Sequence, residues 1–168
     1  MKSAHDSLTH PRLWSILKVS KGIGRVIMNI LFFLKPKSEV AYLYEDYSLR
    51  QALEKMEHYR YSAVPVINRS GHYIGTLTEG DLLWYIKTMR LGDLYEAEDI
   101  PLREVKRRWD NQPVNVQCNI EDLMLTSMNQ NFVPVIDDNR TFIGIVTRRQ
   151  IMQYICKSYM KATESSAR

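Results

Sequence analysis

Two cysteines in 168 residues, Cys118 and Cys156, form neither a disulfide ladder nor a metal-binding pair. Reduced thiols in a cytoplasmic protein are expected. The four histidines, His5, His10, His58 and His72, are scattered. They make no Ser/His/Asp set and no metal-ligand spacing, so neither catalysis nor a metal site is expected. Glycine is sparse, and Gly22-x-Gly24 precedes no strand–turn–helix phosphate loop. No apolar run approaches the roughly 20 residues of a membrane span. The longest, Val26 to Leu34, is interrupted by Asn29 and is followed by no small-residue cleavage site, so a secretory signal is not expected.

Excess charge is also missing from the body of the chain. The net charge is +4, but residues 1–37 hold seven Lys or Arg against Asp6, a local +6. The remainder is therefore 4 − 6 = −2, and no nucleic-acid surface is expected there. Residues 1–37 read as a basic amphipathic helical extension with apolar positions Leu13, Ile16/Leu17, Ile23, Ile27, Ile30/Leu31 and Leu34. It could pack on the body or a partner copy, or make weak contact with an anionic membrane surface. A further expectation is that Met28 is an alternative natural start.

What the chain does have is a repeat. Val64-Pro65-Val66-Ile67 returns as Val133-Pro134-Val135-Ile136, Ile74-Gly75 as Ile143-Gly144, Thr78 as Thr147, and Tyr85-Ile86 as Tyr154-Ile155. The spacing of 69 residues is constant across all of these matches, which marks a tandem module. Ser48 and Asn119 are expected helix N-caps. The runs from Ser62 and Phe132 read as strands, each followed by a turn, a second strand and a helix. Helices are expected at Leu82 to Met89 and Ile151 to Tyr159, with an extended segment over Val40–Tyr44 and a short helical element at Pro101–Val105. The fold class is α+β (α/β): two β-α-β-β-α repeats packed about a pseudo-two-fold axis, because one copy of about 60 residues closes a core poorly. The expected divisions are 1–37 extension, 38–90 first module, 91–112 connector, 113–159 second module and 160–168 tail.

The motifs Tyr61-Ser62-Ala63-Val64-Pro65-Val66 and Ile74-Gly75-Thr76-Leu77-Thr78-Glu79-Gly80-Asp81, with their second copies, resemble those of a CBS-domain pair, or Bateman module. The resemblance implies adenine-nucleotide clefts between the modules. The first would use Thr78 and Asp81 with Val114, Asn115, Asn131, Phe132 and Val133, Asp81 accepting ribose hydroxyls. Asp81 could equally be a helix cap. The second would use Thr147, Arg148 and Arg149 with Val40, Ala41, Tyr42, Tyr61, Ser62, Ala63 and Pro65. There Gln150 replaces the ribose carboxylate, and adjacent arginines suit phosphate oxygens.

Asn131-Phe132-Val133 and Phe142-Ile143-Gly144-Ile145-Val146-Thr147-Arg148-Arg149 further resemble the stand-alone cyclic di-AMP-binding CBS proteins of Gram-positive bacteria, the CbpB type. That likeness implies a homodimeric, non-catalytic sensor of cyclic di-AMP that signals to an unidentified target protein. Glu39 departs from the pattern, since that family can place a lysine just before Val-Ala. Asp81 departs too, leaving the first cleft open to AMP, ADP or ATP. The alternatives are an energy sensor of those nucleotides, or a ligand-free dimerisation or membrane-tethering module.

Overall fold

The structure, a computed structural model, describes residues 29–93 and 95–166. Of the helix expected over residues 13–34, the part up to residue 28 and the Met28 start fall outside the described residues, whereas Ile30–Phe33 form a 3-10 turn capped by Asn29 and lead into the strand at Lys35–Pro36. In chain order the strands are β1 (Lys35–Pro36), β2 (Leu43–Tyr44), β3 (Ala63–Ile67), β4 (Tyr73–Thr78), β5 (Val114–Asn115), β6 (Phe132–Ile136) and β7 (Phe142–Thr147). The helices are α1 (Leu49–Tyr59), α2 (Glu79–Met89), α3 (Ile120–Ser127) and α4 (Arg148–Ser166). Each module is therefore β-α-β-β-α.

The helix starts follow from local chemistry. At α1, Ser48 Oγ accepts from the Gln51 amide at 3.2 Å, and Gln51 Oε1 accepts from the Ser48 amide at 3.0 Å. This reciprocal box satisfies two amides that a helix start leaves unpaired. Asn119 Oδ1 accepts from the Asp122 amide at 2.7 Å and caps α3 with that one bond. Leu49, Ala52 and Met56 then lie on one buried face of α1, the 3.6-residue period placing them together.

Two sheets form, ordered β2-β3-β4 and β1-β7-β6-β5. In each module a short strand runs parallel to the first strand of an antiparallel hairpin. Both hairpins shift register at equivalent places, between Val66 and Ile67 and between Val135 and Ile136. Pro65 sits just before the first residue that β2 pairs with, Val66, so its missing amide costs no ladder bond on that side.

Each core is closed by a segment from outside the repeat. Ala97, Leu102 and Val105 of the connector join Leu49, Leu77 and Leu82 in the first. Ile30 and Phe33 join Leu123, Val133 and Ile151 in the second. Burying one such aliphatic side chain contributes about 1.5–3 kcal/mol, so the wholly buried Ile30 is a structural part of the second module. A third cluster, Val40, Ile67 and Phe142, joins the two modules.

Some local expectations shift. Only Leu43 and Tyr44 of the Val40–Tyr44 run form strand, after a 3-10 turn at Lys37–Glu39. Helix α4 continues to Ser166, past the expected end at Tyr159, because Lys, Met, Ala and Glu there favour helix and no glycine or proline stops it. The element expected at Pro101–Val105 is a 3-10 turn over Leu102–Glu104.

Candidate functional site

The residues expected in the first cleft are held by bonds within the chain. The Thr78 hydroxyl and amide donate to Asp81 Oδ2 at 2.7 and 3.0 Å, and the Asp81 amide donates to Thr78 Oγ1 at 3.1 Å. The other carboxylate oxygen accepts from the Arg108 amide at 3.0 Å. Asp81 is 3% exposed. It caps α2 and pins the connector with the same group, so both oxygens are engaged without a ligand.

The connector lines this cleft further. Asp110 Oδ1 accepts from the Thr76 amide at 2.9 Å and from Arg107 Nε at 2.8 Å. Asn111 Nδ2 donates to the Phe132 carbonyl at 2.8 Å. The Gln112 amide donates to Gln130 Oε1, and Gln130 Nε2 donates to the Gln112 carbonyl, both at 2.9 Å. The Tyr73 hydroxyl donates to the Asn111 carbonyl at 2.9 Å and lies 2.7 Å from Thr76 Oγ1. Burial pushes its pKa up, against a smaller lowering by the Thr76 bond.

Val114 and Asn115 stand elsewhere. They pair with Val135 and Ile136, and Asn115 Nδ2 donates to Asp138 Oδ1 in the hairpin turn at 2.8 Å. Phe132 is met instead by Asn111. The reason is a change in repeat length. Ser48 to Ala63 spans 15 positions, whereas Asn119 to Phe132 spans 13. The offset is thus 71 upstream of the first helix and 69 downstream, which makes Asn111 and Gln112 the counterparts of Val40 and Ala41. The two cap residues, Ser48 and Asn119, carried that signal. Asn111, Gln112 and Gln130 are the cleft residues that sequence reasoning missed.

In the second cleft, Thr147 and Gln150 repeat the cap. The Thr147 hydroxyl and amide donate to Gln150 Oε1 at 2.6 and 3.0 Å, and the Gln150 amide returns a bond at 3.3 Å. A neutral amide replaces the Asp81 carboxylate in the same geometry. The two arginines separate. Arg148 Nε donates to the carbonyls of Ser127 and Gln130 at 3.0 and 3.1 Å, satisfying acceptors at the end of α3. Arg149 is exposed and borders a shallow groove of about 430 Å³ with Met152, Gln153, Cys156 and Lys157.

Across from them, Val40 and Ala41 are buried, while Tyr61 is 37% exposed and stacks on Tyr59 at 5.7 Å. Ser62 is exposed, Ala63 half-buried and Pro65 buried. Tyr42 packs edge-on to Phe142 at 6.5 Å.

Comparing equivalent positions shows an asymmetry. Where the first cleft holds Asn111, Gln112, Gln130 and Phe132, the second holds Val40, Ala41, Tyr61 and Ala63. Asn111, Gln130 and Phe132 are 8%, 6% and 6% exposed, bonded to one another or to the connector. At the equivalent positions Tyr61 is exposed and Ala63 half-buried. Among the described residues no group of three His, Cys, Asp or Glu could hold a metal ion. No described helix is long and apolar enough to cross a membrane.

Comparison with known proteins agrees with this architecture. The structure of CbpB in complex with c-di-AMP superposes with a TM-score of 0.75, at 24% identity over 90% of this chain and 99% of that one. CbpB from Streptococcus agalactiae gives 0.68, at 23% identity and 96% of both chains. CBSX2 in complex with AMP gives 0.60, at 20% identity, 78% of this chain and 98% of that one. The A-adding tRNA nucleotidyltransferase of Aquifex aeolicus is 31% identical over 113 residues, 67% of this chain but 13% of that enzyme. The uncharacterised protein MK0525 of Methanopyrus kandleri is 28% identical over 114 residues, 65% of this chain and 53% of its own. The chain thus spans about an eighth and about half of the curated relatives it matches. The CBS domain profile matches twice, over residues 33–88 and 97–157. Those two stretches cover the strands and most of the helices of the two β-α-β-β-α units, and the chain belongs to the CBS domain family as a tandem pair.

Proposed function

We propose that this CBS pair is a non-catalytic regulatory protein that senses an adenine nucleotide, cyclic di-AMP in the first place, in its second cleft. The observation that carries this reading is the asymmetry between the clefts. The first is filled by its own polar side chains, whereas the equivalent positions of the second carry the small residues Ala41, Ser62 and Ala63. Adenine lies against the backbone at Ala63, where a larger side chain would exclude it. Thr147, Arg149 and the amide end of α4 face the phosphates, a combination suited to anions. Arg148 supports them from behind through its hold on α3. The CbpB structure with c-di-AMP and the CBSX2 structure with AMP are the precedents for an adenine nucleotide in this fold.

A bound nucleotide would bridge both modules across the Val40–Phe142 contact. It would bias their relative setting and so the docking of a target protein. Exposed Leu83, Met152 and Tyr159 on the helices suit a homodimer.

The test is calorimetric titration of the full chain with cyclic di-AMP, AMP, ADP and ATP. Tightest binding is expected for cyclic di-AMP, weakened at least about tenfold in Arg149→Ala with the melting temperature unchanged. A preference for a linear nucleotide would make the protein an energy sensor. Lack of binding by all four would leave a scaffold or tethering role.

A further inference from the structure

The described part of the chain carries a net negative balance outside its first residues, yet one surface gathers cations around tryptophan. Trp84 on α2 is 41% exposed. Arg108 places its guanidinium carbon 4.7 Å from the Trp84 ring centroid, and Lys87 Nζ lies 4.9 Å from it. Lys106 is exposed in the same connector run, and Trp109 is 68% exposed. Among the described residues none of Lys87, Lys106 and Arg108 forms an ion pair. The arrangement is built, because the Arg108 amide is fixed to the buried Asp81 carboxylate at 3.0 Å. Asp81 therefore sets the connector so that Arg108 covers Trp84.

We propose that the Trp84–Lys87–Arg108 surface docks an acidic peptide segment of a partner protein, one that combines carboxylates with apolar side chains. Tryptophan and arginine dominate the binding energy of protein interfaces, and the unpaired cations supply the complementary charge that steers an acidic partner. A nucleic acid is disfavoured by the few cations present, since binding of that kind rests on many phosphate contacts. A membrane is disfavoured because Lys87 and Arg108 lie against the Trp84 ring and keep it from entering an apolar phase without them. The inference stands independently of the nucleotide reading, since no residue in it belongs to the second cleft.

The test follows intrinsic tryptophan fluorescence of the full chain during titration with a short synthetic peptide of glutamate and leucine. Parallel titrations use a single-stranded oligothymidine and phosphatidylserine vesicles, and sedimentation monitors self-association. Saturable peptide binding that weakens with salt is expected, reduced at least about tenfold in Lys87→Glu and in Arg108→Glu. Arg108→Glu keeps the backbone amide that bonds Asp81, and an unchanged circular dichroism spectrum would confirm folding for both variants. Arg149→Ala should bind the peptide normally. The proposal is overturned if the peptide does not bind at low salt, or binds equally to both charge-reversed variants. It is likewise overturned if the oligonucleotide or the vesicles, and not the peptide, depend on these residues, or if Trp84→Ala abolishes self-association and no peptide site is found.

Discussion

His72 and Thr141 face each other in an antiparallel bridge, and they are repeat equivalents, 69 positions apart. The bonds around them are equivalent too. The Phe142 amide donates to the Gly71 carbonyl at 2.8 Å, and the Tyr73 amide donates to the Arg140 carbonyl at 3.4 Å. Equivalent residues meet only on the axis that relates them, so the pseudo-two-fold axis passes through this bridge. Tyr73 stacks on its own equivalent, Phe142, at 6.2 Å. The clefts lie on either side, and their differences are differences of side chain on a shared backbone plan.

The paired glycines of the repeat have a steric cause. A Cβ on Gly144 would strike the Lys35 carbonyl of β1, whereas one on Gly75 would strike the side chains of Asp110 and Arg107. Backbone yields less readily than side chain. Gly144→Ala should therefore cost about 2–3 kcal/mol and Gly75→Ala about 1 kcal/mol, measured by urea denaturation. Limited proteolysis should cut near Lys35 faster in Gly144→Ala, because β1 would be pushed off β7.

The two caps differ in what they hold. Asp81 bonds Thr78 and the Arg108 amide from burial, whereas Gln150 serves Thr147 alone. Asp81→Ala should destabilise by about 2–3 kcal/mol and Gln150→Ala by about 1 kcal/mol. Nucleotide affinity should survive Asp81→Ala once stability is accounted for. Calorimetry of the folded variant checks this, and loss of binding would return the ligand to the first cleft.

Adjacent arginines should behave differently. Arg148→Ala releases the carbonyls of Ser127 and Gln130 and should cost about 1–2 kcal/mol, read as a lower melting temperature. Arg149→Ala touches an exposed side chain and should leave the melting temperature unchanged. Equal melting temperatures in both variants would contradict the division of roles.

Tyr73 links stability to pH. Burial raises its pKa above the ordinary 10.0, so the folded chain keeps the proton while the unfolded chain loses it. Stability is unaffected by this group below pH 10 and falls as pH rises above it, because the unfolded state then binds fewer protons. Tyr73→Phe should cost about 1–2 kcal/mol near neutral pH by leaving the Asn111 carbonyl without its donor. It should also lose part of the alkaline decline, seen by comparing urea midpoints near pH 8 and about pH 11.

Much of the fold was legible because it rests on local rules. Ser48 and Asn119 cap helices three residues ahead of their partners, and Val64–Ile67 and Val133–Ile136 form hairpins whose turns follow within a few residues. The family could be read as well, since Pro, Gly and Thr recur in one register. The linear pattern did not reveal that Val114 is displaced from the first cleft, because a two-residue difference in the α1 loop is invisible where the offset is read from the strands alone.

The repeat, its element order and the chemistry offered at Thr78, Asp81, Thr147, Arg148 and Arg149 are written in the order of the residues. Those depend on residue type and on spacings shorter than a helix turn or a hairpin. Which groups are already spent depends on how the chain folds back on itself. Asp81 bonds Arg108, 27 positions away, and Arg148 reaches Ser127, 21 positions back. The same folding back lets Ile30 and Phe33 complete the second core. Hydrogen bonds and burial act through distance in space, and two residues far apart in sequence acquire a distance only when the modules close on each other.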